Sequence, residues 1–363
     1  MRAFEKRSDV KRSGAFLLDW LEFSYLPGGR DDGLQLWTDF MDDFPEFENE
    51  FAETVMSGKG MNGYTNVYRF TDLYSIAYSP DNADMGIHVI FPSHGLYKLC
   101  ELFGLESLDD YAPASKLFKI LTERSCRITR MDVCFDDYTK RFKPADFVGW
   151  AINERIRSKH RHWQFVSSCQ GSGATFYLGK RGRDRLFRCY DKAFESNGEI
   201  DAIRYELELK GVWAMQLQKD IAEGKKYKFS DMIRDMFEIT NEYERDDGAK
   251  PETIRQRKYD AGIAPEYLEL LQLFDKLRLS DTDELKIDRE KRVPSWTRLF
   301  NWLNKYVMPS LYMYREVMGK DVLDEVIAIQ ERRLDEARQR MLVQYKDEHK
   351  KFEFKYGEIL DEE

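Results

Sequence analysis

The chain has 363 residues, 42% of them hydrophobic and 34% charged, and a formal net charge of −9. That length suggests two domains or one large domain with an appendage, and the apolar share is enough for a sizeable core and excludes disorder. The acidic balance argues against a protein that coats nucleic acid non-specifically, but it leaves room for a local basic groove and for carboxylates that hold a divalent metal near phosphate.

No apolar run follows Met1–Arg7 at the N-terminus, so no signal peptide is expected, and no stretch approaches the length of a membrane span. In chain order, the apolar and aromatic run Gly14–Tyr25 predicts a strand. Tyr64–Tyr78 alternates on both sides of Thr71-Asp72 and predicts a hairpin. Ile87–Phe91 is a short β-branched strand closed by Pro92. His94–Phe103 and Pro113–Arg124 read as helices. Arg127–Asp136 is a strand, Pro144–Arg157 an amphipathic helix, and Ala174–Gly179, Leu186–Lys192 and Ile203–Lys210 are three further strands. Helical patterns dominate after Gly211. The charge-rich stretch Asp246–Glu290 reads as loosely packed loops with one short helix over Pro265–Leu277. A helix opening at Pro294-Ser295 carries Trp296 and Trp302, with Tyr306 following, and these aromatics at helical spacing read as core. A last, solvated helix runs from about Asp321 to Lys350.

The five cysteines, Cys100, Cys126, Cys134, Cys169 and Cys189, are odd in number and never at CxxC spacing. Neither a zinc site nor a disulfide framework is expected, and a reducing cytoplasm fits best.

Successive residues of a strand face opposite sides. On Arg127–Asp136 the apolar set Met131, Val133 and Phe135 should face the core, and Arg130, Asp132, Cys134 and Asp136 the other side. On Ile203–Lys210 the polar set is Arg204, Glu206, Glu208 and Lys210; on Leu186–Lys192 it is Arg188, Tyr190 and Lys192. Each pattern alone is what a solvated sheet face shows. Side by side, the three would gather Asp132, Glu206 and Glu208 beside Arg188, Tyr190 and Lys192. Clustered carboxylates repel unless a cation sits among them, and a hard ion such as Mg²⁺ or Mn²⁺ is the expected resolution. Such an ion polarises a phosphoryl oxygen, while a tyrosine can supply the attacking oxygen. Arg188 and Lys192 would lower the phenol pKa or hold the phosphate.

Gly171–Arg185 combines glycines with Lys180, Arg181, Arg183 and Arg185. Glycines let a backbone approach phosphate, the basic residues attract it, and Tyr177 could stack on an unpaired base. The same run also reads as a plain β-hairpin with a charged turn. His160-Arg161-His162 reads as a surface basic cluster with Lys159 rather than a metal motif, and His88 and His94 as structural.

The run Gly173-Ala174-Thr175-Phe176-Tyr177-Leu178-Gly179-Lys180-Arg181, followed by Asp184–Lys192, resembles the replication initiation factor family. These are the Rep_trans-type initiators of rolling-circle plasmids and filamentous phages, with relaxases of some integrative elements in the same group. Thr129–Asp136 and Arg204–Lys210 resemble its two acidic strands. The motif-bearing stretch is about residues 126–211, with weaker similarity over Gly14–Phe23 and Trp296–Leu323. The resemblance implies that Tyr190 attacks an origin phosphodiester, becomes joined to the 5′ phosphate and leaves a 3′ hydroxyl for a polymerase. It places the metal on Asp132, Glu206 and Glu208, with Asp136 the rival of Asp132. It further implies single-stranded or extruded origin DNA as substrate, a host helicase and polymerase as partners, a homodimer, no membrane, and the cytoplasm of a bacterial host. The family of rolling-circle enzymes with a His-hydrophobic-His metal motif is not matched. Tyr138, Tyr177 and Tyr205 are rival tyrosines; Tyr205 falls on the core-facing set.

The expected architecture is α+β: an antiparallel-sheet catalytic domain with flanking helices over 1–225, then a mostly helical region over 226–363 that binds duplex origin, dimerises or recruits a helicase. A conjugative relaxase, or a non-catalytic DNA-binding regulator on the same fold, are the alternatives.

Overall fold

The alternating segments pair into one ten-stranded sheet in a computed structural model of the chain, with every neighbouring pair antiparallel. The structure describes residues 17–28, 32–53, 56–57, 60–167, 173–196, 198, 200–243, 251–275 and 307–319. The strands are β1 (Leu17–Tyr25), β2 (Met56–Ser57), β3 (Asn66–Phe70), β4 (Tyr74–Tyr78), β5 (Ile87–Phe91), β6 (Cys126–Asp137), β7 (Ile156–Arg157), β8 (Trp163–Ser167), β9 (Ala174–Leu178), β10 (Arg185–Asp191), β11 (Ile203–Lys210) and β12 (Glu238–Ile239). The helices are α1 (Gly33–Asp43), α2 (Leu96–Leu102), α3 (Tyr111–Glu123), α4 (Pro144–Ile152), α5 (Lys192–Glu195), α6 (Val212–Ala222), α7 (Phe229–Arg234), α8 (Pro251–Asp260) and α9 (Pro265–Phe274). In space the large sheet runs β2-β3-β4-β5-β1-β6-β11-β10-β9-β8, while β7 and β12 form a separate pair.

One face of the large sheet is apolar because helices cover it. Met131, Val133 and Phe135 of β6 join Tyr205, Leu207 and Leu209 of β11 and Phe187 and Cys189 of β10 in the main core. Helix α3 lays Tyr111, Ala114, Leu117, Phe118 and Leu121 into that core, an apolar stripe at helical spacing. Helix α6 does the same with Trp213, Ala214, Leu217 and Ile221. A sheet packed on one face alternates apolar and polar residues, so the faces read from the sequence hold. In β1 the register slips between Leu18 and Trp20, leaving Asp19 as the extra residue of a bulge.

The chain divides into two compact units, Met1–Ile287 and Asp288–Glu363. The first unit thus runs past residue 225. Phe274 of α9 makes edge contacts with Phe135, Tyr205 and Phe229, and Tyr267, Leu270 and Leu271 are buried with it. The helix expected over Pro265–Leu277 is α9, and it closes the core rather than packing loosely; helix α8 stands where a loop was expected. In the second unit the described helix Met308–Met318 buries no residue, and Tyr312 and Val317 are exposed. The helices expected at Pro294 and over Asp321–Lys350, with Trp296, Trp302 and Tyr306, lie outside the described residues.

Helix α4 is shorter than expected. Glu154 adopts φ +53 and Arg155 N–H returns to the Trp150 carbonyl, which ends the helix and releases Ile156–Arg157 to pair with Glu238–Ile239. Helix α1 and strand β8 were not expected from the pattern. Among the described residues, Cys100, Cys126, Cys134 and Cys189 are buried thiols outside any disulfide. Among the described residues, no helix is long and apolar enough to cross a membrane.

Candidate active site

Strands β6, β11 and β10 are consecutive in the sheet, so their polar sets meet. Asp132 lies across from Glu208, Arg188 from Glu206, and Arg204 from both Asp136 and Tyr190. Arg188 Nη2 donates to Asp132 Oδ2 at 2.7 Å and to the Glu206 carboxylate, and lies 3.8 Å from Glu208 Oε2. Arg130 grips Asp132 with two bonds, Nε to Oδ1 at 2.8 Å and Nη2 to Oδ2 at 2.5 Å, and reaches Glu208 Oε2 at 3.1 Å. Lys210 Nζ donates to Glu208 Oε1 at 2.7 Å. Tyr190, at 9% exposure, donates its hydroxyl to Glu206 Oε2 at 2.9 Å.

Burial dominates the electrostatics of this cluster. It pushes Glu206 up to about 8 against the pull of Arg188, and raises Asp132 despite its bonds to Arg130. Burial likewise lifts the Tyr190 phenol far above its ordinary value, and the Glu206 charge adds to the effect. Burial works against the Arg188 charge, but the carboxylates of Glu206 and Asp132 more than offset it. Tyr190 is thus a neutral phenol aimed at a carboxylate that readily holds a proton.

Asp136 stands apart. It receives Arg204 Nε at 2.6 Å and Nη2 at 2.7 Å, while Arg204 Nη1 binds Asp19. Ser93 Oγ also donates to Asp19 at 2.7 Å. Lys192 is not on the strand: it opens α5, pairs with Glu195, and its Nζ lies 5.7 Å from the Tyr190 ring centroid. Of the basic hairpin, Lys180, Arg181 and Arg183 are exposed, but Arg185 is buried, stacked 3.7 Å from the Trp213 ring and paired with Asp235. Arg185 therefore belongs to the fold, not to the exposed basic turn. Tyr177 carries Arg181 on its ring, 4.7 Å from the centroid, and its hydroxyl accepts from Arg181 Nη2 at 2.8 Å. Tyr205 is fully buried and donates to the Phe142 carbonyl, as its core-facing position predicted. Lys159 and Arg161 line a groove of about 910 Å³ that also presents Arg157, Arg234 and Lys258.

Strand β1 adds residues that the sequence reading passed over. Glu22 accepts from Trp20 Nε1 at 2.7 Å and lies 3.6 Å from Arg130 and 3.4 Å from His88, whose Nδ1 is 3.0 Å from Ser24 Oγ. Their signal was the polar phase of Trp20, Glu22 and Ser24 inside a run read as apolar.

The donor set of Asp132, Glu206 and Glu208 is all oxygen, which suits a hard divalent cation in kind. Among the described residues no three His, Cys, Asp or Glu side chains already form a metal cage. The guanidinium groups of Arg130 and Arg188 occupy the space between the carboxylates instead. Arg188 Nε is buried and without an acceptor, while its Nη2 is held by Asp132 and Glu206. In this arrangement Asp132, Glu206 and Glu208 are engaged by Arg130 and Arg188 and do not form a metal cage.

Comparison with known proteins bears on this arrangement. A solved structure of a rolling circle replication initiator protein from Geobacillus stearothermophilus superposes with a TM-score of 0.54 at 22% identity, covering 74% of this chain and 99% of that one. The fold is that of a replication initiator. Residues 126–328, more than half of the chain and including every strand of the cluster except β1, match the family described as replication initiation factor. The chain belongs to the replication initiation factor family. No curated protein sequence matches it significantly.

Proposed function

We propose that the chain initiates rolling-circle replication by nicking one origin strand with Tyr190 and later rejoining it. The observation that carries this reading is the Tyr190 hydroxyl held 2.9 Å from Glu206 inside a cluster of carboxylates and guanidiniums. The phenol passes its proton to the Glu206 carboxylate as its oxygen bonds to phosphorus. The bond from phosphorus to the 3′ oxygen breaks, and that oxygen takes up a proton to become the 3′ hydroxyl. The 5′ phosphate stays on Tyr190, and the reverse steps rejoin the strand. Arg188 stabilises the added negative charge on the phosphoryl oxygens. Asp132, Glu206 and Glu208 would hold Mg²⁺ or Mn²⁺, which would polarise the phosphoryl group. Lys180, Arg181 and Arg183, all exposed on the β9–β10 turn, would draw in the origin strand.

The test uses origin-strand oligonucleotides from the element that encodes the protein, with Mg²⁺ or Mn²⁺. The wild type should form a covalent DNA adduct that mass spectrometry maps to Tyr190, and release an extendable 3′ end. Tyr190→Phe should form none. An adduct on another residue, or one that persists in the phenylalanine variant, rules the mechanism out. A wild type that binds origin DNA without ever cutting it points to a regulator.

A further inference from the structure

Tyr190 and Arg188 line a second space, a cavity of about 450 Å³ walled also by Val166, Thr175, Tyr177 and Phe194. Its size lies within the range of small-ligand sites, roughly 300–1,000 Å³. The chain builds the far wall with care. Helix α5 starts directly after β10, capped by the Asp191 side chain, which accepts from Ala193 N–H at 3.0 Å. Phe194 therefore follows Tyr190 at a fixed offset. Its ring lies against Gly173: a Cβ built there would fall 2.4 Å from Phe194 Cδ1, and Gly173 has φ +78. Only glycine suits that position, and it leaves the ring lodged against backbone.

Phe194 is nonetheless 55% exposed and lies outside the hydrophobic core, so packing does not explain it. An aromatic ring left uncovered beside the proposed nucleophile offers a surface on which a base can stack. Tyr177, across the cavity, already carries Arg181 on its ring, so Phe194 is the freer surface. Arg188 lines the cavity and is bonded to the carboxylate cluster, so its guanidinium puts positive charge beside an anionic group entering there. A planar apolar group joined to a phosphate matches both demands.

We propose that this cavity takes the unpaired base adjoining the scissile phosphate, stacked on Phe194. The inference rests on the nicking reading above. Phe194 would then be a positioning residue that sets which phosphodiester reaches Tyr190.

The experiment measures binding of short single-stranded thymidine homopolymers to the full chain by fluorescence anisotropy. Phe194→Ala should weaken binding by roughly 5- to 150-fold, the range for losing one stacked base, and Phe194→Trp should restore it. A homopolymer carrying 5-iododeoxyuridine should photo-crosslink to Phe194. Unchanged affinity in Phe194→Ala, or crosslinks that map to other rings, overturns the proposal. The Tyr190 adduct is scored separately on the same proteins. An adduct with no effect of Phe194 removes the pocket and keeps the nicking; single-strand binding that depends on Phe194 without an adduct does the reverse.

Discussion

Two buried charge clusters share one face of the sheet, and they are closed to different degrees. Around Arg204, Asp136 takes two bonds from one guanidinium and Asp19 takes the third, with Arg204 only 1% exposed. Around Asp132, the acids Glu22, Asp132, Glu206 and Glu208 meet Arg130, Arg188 and Lys210, so in both clusters the acids exceed the arginines and lysines by one and the difference lies in the bonds left unmade. Here one arginine nitrogen is orphaned and a phenol occupies a carboxylate. A guanidinium with its bonds filled holds strands in register; one with a nitrogen left unbonded, beside a phenol, is where the proposed chemistry would take place. Asp132 and Asp136, four residues apart on the same face of β6, thus take different partners.

That contrast can be broken first at Arg204. Arg204→Met strands two buried carboxylates, and urea denaturation should show a loss of about 3–5 kcal/mol. A loss below about 1 kcal/mol would mean that the pair is not a structural clasp. Next comes the metal. Mn²⁺ at a hundredfold its Kd should stabilise the wild type by about 2.7 kcal/mol, read as a rise in melting temperature. Asp132→Asn and Glu208→Gln should abolish the rise, whereas Asp136→Asn should lower the starting stability and keep it. If Asp136→Asn also removes the rise, the two clusters are one metal site. Tyr190→Phe leaves Glu206 short one donor and should cost about 1–2 kcal/mol while eliminating adduct formation. The smallest effect is expected at the rim, where Lys210 is 31% exposed; Lys210→Ala should cost about 0.2–1 kcal/mol, and less in high salt.

Much of this contrast was already written in strand periodicity. The alternation in β6, β10 and β11 put Asp132, Glu206, Glu208, Arg188 and Tyr190 on one face because helices bury the other. Periodicity says nothing about which strand lies beside which. β1 sits between β5 and β6, and this placement brings Glu22 to Arg130 and Asp19 to Arg204. The bulge at Asp19 also breaks the two-residue phase, so its role was illegible without the register. Arginines in a polar phase look alike whether all their bonds are filled, as around Arg204, or one nitrogen is left over, as in Arg188. Arg185 was grouped with a basic turn because nothing local reveals Trp213 and Asp235 closing over it. Strand β8 escaped notice because every one of its residues is exposed, which erases the alternation that marks a strand.

Tyr190 is carried by an interior strand, hydrogen-bonded on one side to β9 and on the other to β11. A nucleophile on a loop or a surface helix can swing with its cargo; Tyr190, in the proposed role, would be mounted like a peg in a wall. A DNA end joined to it would be anchored to an interior strand paired on both sides. The travel needed between cutting and rejoining then falls to the nucleic acid, and the protein serves as the fixed point around which the strand moves.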